Sequence, residues 1–213
     1  MQHDDHSDGE MKMSKINVFT KFLVVCGPSG AGKGTILQLL FDQFPGFFQY
    51  SVSHTSRKPR SGEIHGQQYY FESRDKLLSD ISNGLFLEYT EYAGSIYGTS
   101  LQELERIHQS QKIGILELEM QGVKQIKLTA LSTQMKFLFI KPPCFDILKE
   151  RLKARGTNSA EDIENRMMVA RNELRESENI EFDFYLTNDK LDDSYRQVRE
   201  VLLSWFPALR LFK

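Results

Sequence analysis

Apolar positions recur along this chain in two rhythms that switch at glycines and prolines. Residues 22–26, Phe22-Leu23-Val24-Val25-Cys26, are a continuous apolar run, the pattern of a short strand covered on both faces. A glycine-rich turn over 27–34 follows, and then Ile36, Leu37, Leu40, Phe41 and Phe44 recur at helical spacing until Pro45-Gly46 stops the helix. From 47 to 99 the pattern predicts short β pieces at 47–52, 69–72 and 86–92. They are separated by turns at Lys58-Pro59, Ser61-Gly62 and Gly94-Ser95, with one helix near 74–82. Strands are expected again at 113–120, 136–140 and 182–186. Helices are expected at 145–155, closed by Gly156, and at 159–178 and 191–206. Ser159 with Asp162 three residues on resembles a capping box, and Ile163, Met167, Ala170 and Leu174 mark the buried face of the helix it opens. The alternation of buried strands and amphipathic helices predicts an α/β domain with a mostly parallel sheet flanked by helices, carrying a β-rich insertion.

Composition narrows the function classes. At 213 residues, the chain is long enough for one large domain or two small ones. Lys plus Arg number 27 against 29 Asp plus Glu, so the net charge of −2 excludes a protein that works by coating nucleic acid. Any bound anion must then meet local clusters of cations. Two cysteines, Cys26 and Cys144, make no disulfide framework and fit a reducing compartment. No apolar run reaches membrane-spanning length and the first residues lack a signal-peptide pattern, so the expected location is cytoplasmic, with no membrane partner. Residues 1–15, acidic and without periodicity, are expected to be a disordered tail.

The chemistry is concentrated in three places. Gly27-Pro28-Ser29-Gly30-Ala31-Gly32-Lys33-Gly34-Thr35 lies between a predicted strand and a predicted helix. Backbone N–H groups of such a loop surround a phosphate, the helix N-terminus adds its dipole, and Lys33 reaches the outer phosphates of a nucleoside triphosphate. Gly34 occupies the place where this motif usually carries a magnesium-holding hydroxyl, and Thr35 follows one position later. The second place is Ser51 to Glu63, where Arg57, Lys58 and Arg60 fall within four positions and Pro59 keeps them from being a solvated helix face. Alone this is a charged surface loop; beside a triphosphate loop it is a site for a phosphate monoester. The third is Arg151 and Arg155, four apart on one helix with no acid at helical spacing from either, and Arg166 on the next helix.

The run GPSGAGKG at 27–34, SVSHTSRKPRSGE at 51–63, Gly66 with Tyr69, and SIYGTS at 95–100 together resemble the guanylate kinase family, in order, from about residue 20 to 205. The resemblance implies a P-loop NTPase core over 20–50 and 100–205, a module binding a nucleoside monophosphate over 51–99, and a short helical lid over 151–166. It implies phosphoryl transfer from ATP, with Mg2+ as cofactor, to GMP, in a monomer or homodimer. The implied ATP site is Gly27 to Thr35. The implied GMP phosphate ligands are Ser53, Arg57, Arg60, Tyr69 and Tyr97, with Glu88 reading guanine and Thr99 near the base. Lys33, Arg57, Arg151, Arg155 and Arg166 are the implied catalytic cations. Glu117 and Glu119 stand where the family has aspartates, which moves each carboxylate by about 1.5 Å, and Thr35 or Glu119 is the candidate metal ligand. A kinase of another monophosphate, or a guanylate-kinase-like protein-binding module, are the competing implications.

Overall fold

The computed structural model describes residues 21–154, 156 and 159–211; the tail expected over 1–15, and Arg155, lie outside them. Five strands form the main sheet: β1 (Phe22–Cys26), β2 (Phe48–Tyr50), β7 (Ile113–Glu117), β8 (Met135–Lys141) and β9 (Phe184–Thr187). Their order is β2-β7-β1-β8-β9 and every pair is parallel. The apolar run of β1 divides by parity. Leu23 and Val25 pack with Ile36, Leu37 and Leu40 of α1 (Lys33–Gln43) and Val198 and Leu202 of α7 (Leu191–Trp205). Phe22, Val24 and Cys26 face the opposite layer, with Leu104 and Ile107 of α3 (Leu101–Gln109) and Val123 and Ile126 of α4 (Met120–Lys127). A strand apolar at every position is therefore one covered by helices on both sides.

A second, four-stranded sheet of mixed direction has the order β4-β3-β6-β5, built from β3 (His54–Thr55), β4 (Tyr70–Phe71), β5 (Phe86–Tyr92) and β6 (Ser95–Ser100). Tyr92 pairs with Ser95 across the two-residue turn Ala93-Gly94, where both φ angles are positive (48° and 76°), the turn geometry whose twist matches a hairpin. Helix α2 (Arg74–Ser82), capped by the Ser73 side chain on Lys76 N–H, buries Leu77 against this sheet. Helices α5 (Phe145–Ala154) and α6 (Ala160–Ser177) have a small core of their own: Leu148, Leu152, Ile163, Met167 and Ala170. Ser159 makes the expected capping box with Asp162.

Three elements depart from the periodicity. The strand expected over 113–120 ends at Glu117, and Met120 opens α4 instead. Apolar residues at 116, 118 and 120 alternate like a strand, but after Leu118 N–H bonds to Val25 O the chain turns off the sheet. Helix α3 was hidden in a polar stretch, since only Leu104 and Ile107 among its apolar residues are fully buried. The strand within 47–52 pairs with β7 and so belongs to the main sheet, not to the smaller one.

Candidate functional site

β1, β7, β8 and β9 all end at the same edge of the main sheet, where ligands of open parallel sheets bind. The glycine loop leaves β1 there. Gly27 has φ 142°, and a Cβ on it would lie 2.0 Å from Ile140 O, so no side chain is tolerated. Gly32 has φ 96°, and its Cβ would fall 2.2 Å from Nδ2 of Asn188. That buried asparagine, just past the end of β9, donates to Ala31 O at 2.8 Å, and its own N–H donates to Lys141 O at 2.8 Å. Asn188 thereby ties the loop to the neighbouring strands. Nothing in its local sequence pattern marked it beyond its place at the end of the last strand.

The cations of this end rest on oxygens. Lys33 Nζ donates to Gly27 O (2.6 Å) and Pro28 O (3.3 Å), with the Glu117 carboxylate 3.7 Å away. Arg166 Nη1 crosses from α6 to donate to Ser29 Oγ at 2.9 Å, which places α6 over the loop. Arg151 Nη2 donates to Asp189 O at 3.2 Å, while its Nη1 is buried with no hydrogen-bond partner among the described residues. Thr35 is exposed on the first turn of α1.

At the other end Arg57 is gripped on several sides. Its Nη1 and Nη2 donate to Glu63 Oε2 and Oε1 at 2.7 and 2.8 Å, Nη1 also donates to Lys58 O, and the guanidinium lies 5.1 Å from the Tyr69 ring centre and 5.6 Å from that of Phe71. Glu63 also accepts from Arg60 N–H at 2.7 Å. This pairing pushes the Arg57 guanidinium pKa up and holds the Glu63 carboxyl at about 2. Tyr69 and Tyr97 meet edge to face, 5.9 Å between centres. The Arg60 side chain is exposed.

Between the two ends lie two joined cavities. The smaller, about 290 Å³, is lined by Ser53, Tyr69, Glu88, Tyr97, Glu119 and Gly122 among others. The larger, about 800 Å³, shares Ser53, Tyr69, Glu117 and Glu119 with it and reaches Gly27, Ser29, Lys33, Thr99, Arg166 and Glu173. Glu88 is 4% exposed, and burial pushes its carboxyl up to about 7 against the opposing pull of Thr99, with the nearby Glu119 adding to the rise. Its Oε2 occupies space that a Cβ on Gly122 would need, 2.8 Å away. One turn further along α4, the Gln125 amide accepts from Tyr89 N–H (3.1 Å) and donates to Tyr89 O (2.6 Å), pairing with the free edge of β5 beside Glu88. Glu173, half-buried on α6, is also raised to about 7 by burial, with Lys33 pulling it down and Glu119 pushing it up. The sequence pattern missed Gln125, Glu173 and the role of Glu63, although Glu63 lies inside the run that drew attention.

A glycine loop with its lysine at one end of a cleft, an arginine carried over that loop by α6, and a second, tyrosine-lined pocket at the other end define a P-loop phosphotransferase. The family model described as guanylate kinase matches residues 19–204. The guanylate kinase 1 of Oryza sativa subsp. japonica is 40% identical over 183 residues, 85% of this chain and 47% of that protein, and the guanylate kinase of Sus scrofa is 39% identical over 181 residues, 84% and 90%. The chain thus spans about half the length of the rice relative and nearly all of the porcine one. The crystal structure of guanylate kinase from Anaplasma phagocytophilum shares the fold, with a TM-score of 0.62 and 24% identity over 88% of this chain and 87% of that one. The chain belongs to the guanylate kinase family.

Proposed function

We propose that this protein transfers the γ-phosphoryl group of ATP to GMP, giving ADP and GDP. The observation that carries the reading is Glu88: a buried carboxylate lining the smaller cavity, which shares walls with the larger one that reaches Lys33. Guanine presents N1–H and N2–H side by side, which one carboxylate accepts together; adenine has neither donor. An unpaired carboxylate raised to about 7 is the state expected of such a reader before its partner arrives.

The glycine loop from Gly27 to Gly32 surrounds the donor phosphates with N–H groups, and Lys33 exchanges its carbonyl partners for their oxygens. Ser53, Tyr69, Tyr97, Arg57 and Arg60 hold the GMP phosphate. An oxygen of that phosphate attacks the γ-phosphorus in line; the new P–O bond forms as the bond to the β-phosphate bridging oxygen breaks, and ADP leaves with that electron pair. Arg166, already over Ser29, and Arg151 and Arg155 supply positive charge to the moving group. Closure of α5 and α6 over the cleft excludes water that would otherwise hydrolyse ATP.

The donor set fits a magnesium ion that arrives on the triphosphate. Glu117 and Glu119 line the cavity next to Lys33, Thr35 is not part of that lining, and among the described residues no group of three or more His, Cys, Asp or Glu could hold a metal. Glu119 is the carboxylate we assign to its water shell, since Glu117 is engaged with Lys33. Bound there, Mg2+ would neutralise charge on the phosphates. The free cysteines, one buried and one exposed, suit a reducing compartment such as the cytoplasm, and among the described residues no helix is long and apolar enough to cross a membrane.

A coupled assay of ADP release with GMP, dGMP, AMP and UMP tests the reading. GMP turnover well above AMP and UMP is expected; faster turnover of AMP would overturn the role of Glu88. No nucleotide binding in calorimetry would favour the protein-binding module.

A further inference from the structure

The chain crosses from the main sheet into the smaller one at residues 51–53 and returns at Ser100, where α3 begins. Glu103, in the first turn of α3, stands at this double crossing with a side chain 1% exposed. Its Oε1 accepts from Val52 N–H and from Arg106 Nη2, both at 2.7 Å. Its Oε2 accepts from Arg106 Nε at 2.7 Å and from the Tyr70 hydroxyl at 3.2 Å. All four partners are donors, as an ionised carboxylate with no acceptor nearby requires. Val52 precedes Ser53 and Tyr70 follows Tyr69, so one bond anchors the backbone, and the other the side chain, of a residue next to an assigned ligand of the GMP phosphate. The two segments also bond directly, Tyr70 N–H to Ser53 O at 2.9 Å, and the Tyr70 ring packs on His54 at 4.7 Å.

We propose that Glu103 is a positioning residue for the acceptor phosphate. One carboxylate ties the entering segment at Val52, strand β4 through Tyr70 and the departing helix to a single point, and so sets both the spacing of Ser53 from Tyr69 and the attitude of the smaller sheet toward the P-loop. Glu103 lines neither cavity and touches no substrate; it acts through Val52 and Tyr70. A buried carboxylate whose partner Arg106 remains partly exposed suits that task, because an apolar side chain would fill the space without fixing directions.

The inference rests on the GMP reading above, and wild-type turnover of GMP tests that reading first. Given it, Glu103→Gln keeps the size of the side chain but turns one N–H group toward a donor. The KM for GMP is expected to rise at least about tenfold while the KM for ATP stays within about twofold. A purely structural role would lower the melting temperature and leave the ratio of the two KM values unchanged, and that result would overturn the proposal. Tyr70→Phe leaves the ion pair with Arg106 intact and removes only one donor. A rise of about two- to fivefold in the KM for GMP alone is expected, and it decides the matter if the glutamine variant does not fold; an unchanged KM would then refute the assignment.

Discussion

The two ends of the cleft hold their charged groups in different ways. At the donor end Lys33, Arg151 and Arg166 rest on neutral oxygens, from Gly27 and Pro28, Asp189 and Ser29, with the Glu117 carboxylate 3.7 Å from Lys33 and Glu173 also within the field of that lysine. At the acceptor end Arg57 is forked onto Glu63 and stacked on Tyr69, while Glu88 is buried with no cation on it. A hydrogen bond to a neutral oxygen contributes about 1 kcal/mol net and yields readily to a triphosphate. A bidentate carboxylate pair does not yield; it aims. Under the proposed function, the donor cations change partners during the reaction, and the acceptor groups stay in place and discriminate.

Removing a switching cation should have the largest effect. Lys33→Met is expected to lower kcat by roughly a thousandfold with the melting temperature little changed, because the lysine is held only by carbonyls of its own loop and a 3.7 Å ion pair with the partly exposed Glu117; stopped-time ADP assays and a thermal melt check both halves. A tenfold loss or less would mean that the two ends do not differ in this way.

Next comes Glu88→Gln, which should raise the KM for GMP about a hundredfold and at the same time stabilise the empty protein at alkaline pH. The folded state keeps this carboxyl protonated to about pH 7, against an ordinary value of 4.5. The stability it contributes is full below about pH 4.5 and is lost as pH rises through 7, which amounts to a handicap of about 3 kcal/mol by pH 8. Urea unfolding at pH 5 and pH 8 should show the variant gaining on the wild type only at the higher pH. By the same sign GMP affinity in the wild type should weaken as pH falls below about 7.

Gly122→Ala, which would put a methyl group 2.8 Å from Glu88 Oε2, should raise the KM for GMP about tenfold and leave that for ATP unchanged in steady-state assays. The smallest effect belongs to Glu63→Gln. Arg57 keeps its stacking on Tyr69 and Phe71 but loses its fork, so a rise of about threefold in the KM for GMP is expected. Because Glu63 titrates at about 2, the wild-type pair should show no pH dependence of its own between pH 4 and 8, in contrast to Glu88.

Much of the fold was legible because its signals are local. The run 22–26, the glycines of 27–32 and the capping box at Ser159 each specify an element within a few residues, and each formed where the pattern placed it. Helix α4 was misjudged because apolar residues at 116, 118 and 120 fit a strand period while the turn off the sheet at Leu118 has no local mark. The site residues that escaped notice are single polar groups whose partners are far away in the chain. Val52 and Glu103 are 51 positions apart, and Asn188 and Ala31 are 157 apart.

By itself, the sequence determined the α/β class, the triphosphate loop with Lys33, and a cation cluster that needed an anion, because backbone geometry and helix spacing are encoded within a few residues. Only the tertiary structure decided how each of these acids is paired and buried. Glu63, Glu88, Glu103 and Glu173 are the same residue type, and nothing in their local sequence fixes their partners. One became a counter-ion, one a buried acceptor at about 7, one a four-bonded anchor at a chain crossing, and one a half-buried carboxyl on α6 within the field of Lys33. The protonation and pairing of a carboxylate depend on burial and on donors brought from elsewhere in the chain, and both exist only once the chain has folded.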